Sequence, residues 1–62
     1  MLDDKKREIL RTFADCNMSV LGTAKKLHFH WNTITYHLNA IQKKTGLDPR
    51  NFYDLVKLLE GV

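Results

Sequence analysis

The 62-residue sequence predicts a small all-α domain of four helices that contains a helix-turn-helix. Three observations carry that prediction. Apolar residues recur at helical spacing in four separate stretches, residues suited to helix ends stand between them, and no segment reads as a strand. The chain also has a single cysteine, Cys16, which can form no internal disulfide and has no second thiol with which to hold zinc. Stability must therefore come from a packed core alone, and helical packing is the simplest way to build one.

The first helix is expected over residues 4–15. Leu2, the stem of Lys6, Ile9, Leu10 and Phe13 fall on one side of a 3.6-residue repeat, and Asp3 and Asp4 stand where a helix N-terminus favours negative charge. Asn17 tolerates the left-handed conformation that ends a helix, and Ser19 offers a capping oxygen to the next one. The second helix, residues 20–27, turns Val20, Ala24 and Leu27 inward and Lys25 and Lys26 outward. Gly22 within it costs about 1 kcal/mol of helix propensity unless close packing requires it.

A third helix is expected over residues 31–44, because Ile34, Leu38 and Ile41 lie within about 60° of one another and Gly46 stands where a C-terminal glycine belongs. Leu47, Asp48 and Pro49 make a turn. Asn51, followed by Asp54, resembles a capping box that opens a fourth helix over residues 52–60, with Phe52, Leu55, Val56 and Leu59 as its buried stripe. No repeat, low-complexity segment or linker interrupts the chain, so residues 1–62 read as one domain.

Only His28, Phe29 and His30 separate the second and third helices, which forces a steep crossing. Ala24 must be small where the third helix passes over it, and Leu27, Phe29, Ile34 and Leu38 fill the space between. Position 28 requires a positive φ, which histidine adopts more readily than most residues.

The distribution of charge matters more than the net value of +3. All seven acidic residues lie toward the ends, and none stands between Asp15 and Asp48, where Lys25, Lys26, Lys43 and Lys44 make the local field positive. With Ile34, Leu38 and Ile41 inward, the third helix presents Asn32, Tyr36, Asn39 and Lys43 outward, flanked by Thr33, Thr35 and Ala40. Such a carboxylate-free face suits the major groove of duplex DNA. Asparagine can hold an adenine edge, threonine can bond phosphate or touch a thymine methyl, and the helix N-terminus supplies amides for a phosphate.

Other function classes find little support. The chain lacks the roughly 20 consecutive apolar residues of a membrane span, and its charged start is no signal peptide, so a cytoplasmic protein is expected. Three histidines, one cysteine and scattered carboxylates assemble no nucleophile, base and orienter, which argues against an enzyme. No metal and no cofactor is expected, since no carboxylate or thiol stands near His30 or His37 in sequence.

The runs Thr23-Ala24-Lys25-Lys26-Leu27, His30-x-Asn32-Thr33-Ile34-x-Tyr36-x-Leu38 and Thr45-Gly46-Leu47-Asp48 carry a family resemblance. Over residues 19–47, and more loosely to Leu59, the chain resembles the C-terminal helix-turn-helix DNA-binding domain of the PucR and sugar-diacid regulator type, and more distantly the Fis domain. The resemblance implies a bacterial transcription regulator with an effector-sensing region elsewhere in a longer parent protein. It also implies that the positions of Ser19 and Thr33 meet phosphates and that His30, Trp31, Asn32, Thr35, Tyr36 and His37 face the groove. Asn39 and Lys43 join Ser19 as expected phosphate contacts.

Arginine or lysine is usual in that family where this chain has Trp31, Thr35 and His37. Three lost cations would remove up to three counterion-releasing contacts, each contributing about 0.9 to the slope of log affinity against log salt. The angular position of Trp31, near the buried stripe, favours packing at the core edge over contact with sugar and a thymine methyl. A lone recognition helix covers few base pairs, so two copies are expected on DNA. If His30 or His37 lies beside phosphate, affinity should rise as pH falls through about 6.5. The competing reading is a helical protein-interaction module that keeps the fold without DNA binding, motivated by the missing arginines and the apolar fourth helix.

Overall fold

The computed structural model describes residues 2–60 and contains four helices: α1 (Asp4–Asp15), α2 (Val20–Leu27), α3 (Trp31–Thr45) and α4 (Phe52–Leu59). The expected bounds differ from these by one residue at the ends of α3 and α4. Leu2, Ile9, Leu10, Phe13, Ala24, Ile34, Leu38, Ile41, Leu55 and Leu58 form one buried cluster, with Ala14, Met18, Val20, Leu27, Phe29 and Leu47 packed around it. α1 is the hub, touching each of the other helices, while the α2–α3 pair makes the most extensive contact. The backbone of α4 runs closest to α1, and its Leu55 and Leu58 join the shared core.

Local chemistry explains each boundary. Asp3 opens α1, its carboxylate accepting from the Lys6 amide at 2.9 Å, with the Lys6 ammonium 3.6 Å from the same group. That amide bond and the lysine charge hold the Asp3 carboxyl below its ordinary pKa. α1 ends where the amides of Asn17 and Met18 turn back to the carbonyls of Ala14 (3.2 Å) and Phe13 (2.7 Å). This is a Schellman closure, which requires left-handed backbone at Asn17, where φ is 56°; Met18 is left-handed as well, at φ 63°. Asn17 was expected there; Met18 adopts the same region because its side chain packs against the core.

Ser19 caps α2, its Oγ accepting from the Gly22 amide at 3.0 Å. A Cβ on Gly22 would come within 3.3 Å of both Cys16 Cβ and Ser19 Oγ, which accounts for a glycine inside so short a helix. Thr23 is wholly buried and satisfies its hydroxyl by donating to the Ser19 carbonyl at 2.7 Å. His28 then turns the chain at φ 61°, and the Phe29 amide donates to the Ala24 carbonyl at 2.9 Å. That bond directs Phe29 back toward the core and sets the angle at which α3 leaves α2.

The fourth helix departs from expectation in two respects. Leu55 and Leu58 are buried, whereas Phe52, Val56 and Leu59 are 61%, 36% and 42% exposed, so the helix is rotated by roughly 80° from the expected stripe. Two causes act together: α1 is the helix that runs closest to it, and Asp54 is tied to the preceding turn. The Asp54 carboxylate accepts from the Asp48 amide at 3.0 Å rather than from Asn51, so the capping box is not closed. Asn51 caps α4 by itself, accepting from the amides of Tyr53 (3.0 Å) and Asp54 (3.2 Å).

Candidate nucleic-acid interface

α3 has two sides of opposite character. Ile34, Leu38 and Ile41 are fully sealed, and Asn32, Tyr36, Asn39 and Lys43 are exposed within about 50° of the direction opposite them. Tyr36 is 68% exposed. Tyr36, Asn39 and Lys43, with Ala40 and Gln42, line a shallow depression along this outer face. Neither α2 nor α3 contains a carboxylate, so nothing on the paired helices repels a polyanion.

The remaining candidate residues occupy the flanks and the mouth of α3. Thr33 and Thr35 are half-buried, one on each side of the outer face. His30 caps the helix, its Nδ1 accepting from the Asn32 amide at 3.1 Å, which places the ring hydrogen on Nε2. The Thr33 amide is likewise bonded, to the His30 carbonyl at 3.0 Å. Two of the amides expected to be free for a phosphate are therefore already engaged within the protein. Ser19 accepts from Gly22 but keeps its hydroxyl hydrogen to donate.

Trp31 does not close the core edge. It is 48% exposed and leans on the His30 ring, centroids 5.6 Å apart. The reason is its place as the first residue of α3: side chains on a helix tilt toward the N-terminus, so this indole points off the helix end rather than onto a neighbour. His37 lies on the opposite flank, half-buried, with Nδ1 buried and unpartnered. Burial, and then the charges of Lys6 and Lys5, push its pKa below the ordinary histidine value and favour the neutral ring.

Three cations missing from the sequence reading of the site stand beside α3. Lys5 and Lys6 approach His37 from α1, and the Lys5 ammonium sits 4.8 Å from the centre of the Phe29 ring in the α2–α3 turn. Arg50 reaches back from the α3–α4 turn, and its Nη2 donates to Asn39 Oδ1 at 2.9 Å. Among the described residues, no three His, Cys, Asp or Glu side chains gather as a metal site would require. No helix of the described residues is long and apolar enough to cross a membrane.

Comparison with known proteins agrees with this geometry. The sequence model of the PucR C-terminal helix-turn-helix domain matches residues 7–59. The chain is 42% identical over 52 residues to the carbohydrate diacid regulator of Escherichia coli (strain K12), an alignment covering 84% of this chain and 14% of that protein. It is 30% identical over 50 residues to the uncharacterized protein YxkF of Bacillus subtilis (strain 168), covering 81% of this chain and 17% of that protein. The chain thus spans less than a fifth of the length of these curated relatives. No solved structure matches it significantly.

Proposed function

Because the chain belongs to the family of PucR C-terminal helix-turn-helix domains, we propose that it binds double-stranded DNA in a sequence-specific manner, as the DNA-contact domain of a cytoplasmic bacterial transcription regulator, with α3 in the major groove. One observation carries the reading: the exposed amide, phenol and ammonium groups of Asn32, Tyr36, Asn39 and Lys43 line the outer side of a helix whose other side is locked into the core. A helix held so firmly can present base-reading groups in fixed register, which phosphate contacts alone would not achieve. His30, Trp31, Thr33, Thr35 and His37 flank the reading groups, and Ser19 supports them with a hydroxyl for phosphate. Lys5 and Lys6 offset part of the positive charge absent at Trp31, Thr35 and His37. Two copies act on paired half-sites, and the effector is sensed by another part of a longer protein.

Selection of bound duplexes from a random pool supplies the site, and titration over a range of salt supplies the test. Affinity is expected to fall steeply between about 50 and 200 mM salt, and Asn32→Ala is expected to relax discrimination at one base pair by about 1–3 kcal/mol. A flat salt response, or no binding at about 50 mM, rejects the reading.

A second reading, a helical interaction module that does not bind DNA, draws on the groove between α1 and α4. Ala14, Asn17, Met18, Phe52, Leu55, Val56 and Leu59 line it, and it lies on helices other than α2 and α3. Amide shifts on adding DNA separate the two: changes in α3 favour DNA binding, and changes confined to α1 and α4, or none, favour the module.

A further inference from the structure

We infer that Asn39 and Arg50 form a two-residue phosphate clamp, which makes Arg50 a DNA-backbone contact supplied from outside the helix-turn-helix unit. The inference rests on the reading of α3 as the groove-facing helix and adds a residue and a division of labour to it.

The geometry begins with what a guanidinium can and cannot do. It carries five N–H donors and no acceptor, so the atom of Asn39 that meets Arg50 Nη2 at 2.9 Å must be the carbonyl oxygen. The carboxamide is planar, and fixing its oxygen toward Arg50 leaves its NH2 group aimed away with both hydrogens free. One of the two lone pairs of that oxygen is thereby committed to Arg50. The cation held against Asn39 favours an anionic ligand there, whereas Asn32 accepts no such side-chain bond among the described residues and is open to bidentate recognition of adenine.

Arg50 is also held in place rather than waving free. Asp48 Oδ1 accepts from the Arg50 backbone amide at 3.0 Å and lies 3.7 Å from Nη1. The guanidinium is bonded on one side to Asn39 and steered on the other by Asp48, and it remains 38% exposed. Lys43 follows Asn39 by one helical turn and borders the same depression. The resulting group offers the Asn39 NH2, the outer N–H groups of Arg50 and the Lys43 ammonium, all donors, with two cations against one carboxylate. An oxyanion is the ligand such a set fits, and on a duplex that oxyanion is a backbone phosphate.

Position along the helix agrees. Where a recognition helix enters the major groove, its N-terminal residues meet base edges, and its C-terminal end can pass close to the backbone. Asn39, Lys43 and Arg50 cluster at the C-terminal half of α3, and Asn32 and Tyr36 lie toward its start. The structure therefore divides the outer face into a reading half and an anchoring half.

The experiment measures fluorescence anisotropy of the 62-residue chain with its selected duplex and with a shuffled duplex of equal length, from about 50 to 200 mM salt. Arg50→Gln keeps an amide donor but loses the charge. It is expected to weaken binding to both duplexes equally and to reduce the salt slope by about 0.9, so that the gap to wild type narrows about 3.5-fold across that range. Asn39→Asp, which lets a carboxylate neutralise Arg50, is expected to weaken both duplexes in the same way without lowering the melting temperature. Asn32→Ala provides the contrast, weakening only the selected duplex. An Arg50→Gln variant with wild-type slope and affinity overturns the clamp while leaving the reading of α3 intact. So does one that loses preference for the selected duplex at unchanged slope, since Arg50 would then contact bases. Failure of the wild-type chain to bind either duplex overturns both, and the wild-type titration alone distinguishes that case.

Discussion

Replacing His28 with glycine should make the protein more stable, although it removes a side chain. His28 has φ 61° and ψ 38°, in the left-handed region where a Cβ crowds the following carbonyl, at a cost of roughly 1–2 kcal/mol for an L-residue. Its side chain is exposed and contributes nothing to the core. Glycine removes the Cβ cost but enlarges the conformational freedom of the unfolded chain, which offsets about 0.4–1 kcal/mol of the gain. The difference leaves a net stabilisation of about 0.5–1 kcal/mol. For a domain of this size, each kcal/mol moves the melting temperature by about 4–8 °C, so His28→Gly should melt about 2–8 °C higher. Thermal unfolding followed by circular dichroism reads this directly. His28→Val serves as the opposite arm, because a β-branched residue tolerates this backbone worst and should melt lower than wild type. A His28→Gly protein that melts at or below the wild-type temperature would refute the strain assigned to this turn.

Three other outcomes follow from the same reading. Leu38 is fully enclosed, and Leu38→Ala should cost about 2–5 kcal/mol, comparable with the whole stability of so small a domain; a well-folded variant in urea titration would contradict the core described here. Gly46 has φ 78° with nothing near its missing Cβ, so Gly46→Ala should cost about 0.5–1 kcal/mol, the backbone strain less the unfolded-state entropy that alanine removes, and an unchanged denaturation midpoint would count against it. His37 has a folded pKa below its unfolded 6.5, so the unfolded state binds the proton more readily. Its neutral ring then contributes fully above pH 6.5, and stability falls as pH drops through 6.5 toward the lower folded value. Lys6, Lys5 and Asp3 are the charged groups that act on His37. Comparing urea midpoints of wild type and His37→Gln at about pH 7.5 and about pH 5 isolates His37, and parallel curves would remove it as a contributor.

Much of the fold was legible because its signals are local. Asn17, Ser19, His28 and Gly46 mark helix ends through their own backbone preferences, and the spacing of Ile34, Leu38 and Ile41 leaves α3 only one way to face. The outer residues of α3 followed as its complement. α4 was harder: Phe52, Leu55, Val56, Leu58 and Leu59 spread over about 160° of its circumference, so no single narrow stripe stands out. Which side is buried is decided by α1 and by the bond from the Asp48 amide to Asp54, neither of which its own period encodes. Trp31 misled for a related reason, since an angle on a helical wheel says nothing about whether a neighbour extends past the helix end.

The neighbours of the candidate site were hidden by distance along the chain. Arg50 meets Asn39 only because the turn through Leu47, Asp48 and Pro49 doubles back on α3, and Pro49 is fully buried there. Lys5 and Lys6 come beside His37 because α1 crosses the paired helices. A sequence scan sees basic residues near the first acidic cluster, and the fold moves them to the flank of α3. Asn39 shows the limit from the other direction: its residue type suggests an adenine reader, and only the fold shows that a guanidinium stands against its oxygen.

Among the described residues, α1 is the only helix whose backbone runs close to α4, which makes the molecule mechanically uneven. Its final rod is attached along one seam, secured by Leu55 and Leu58 and by the small knot at Asp48 and Asp54, while α1, α2 and α3 brace one another. Deuterium should therefore enter the amides of residues 52–59 long before those of α2 and α3, through an opening that leaves the three-helix remainder standing. Any covering laid over Phe52, Val56 and Leu59 would slow that uptake selectively, so the exchange rate of this one segment is a built-in gauge of whether its outer side is occupied.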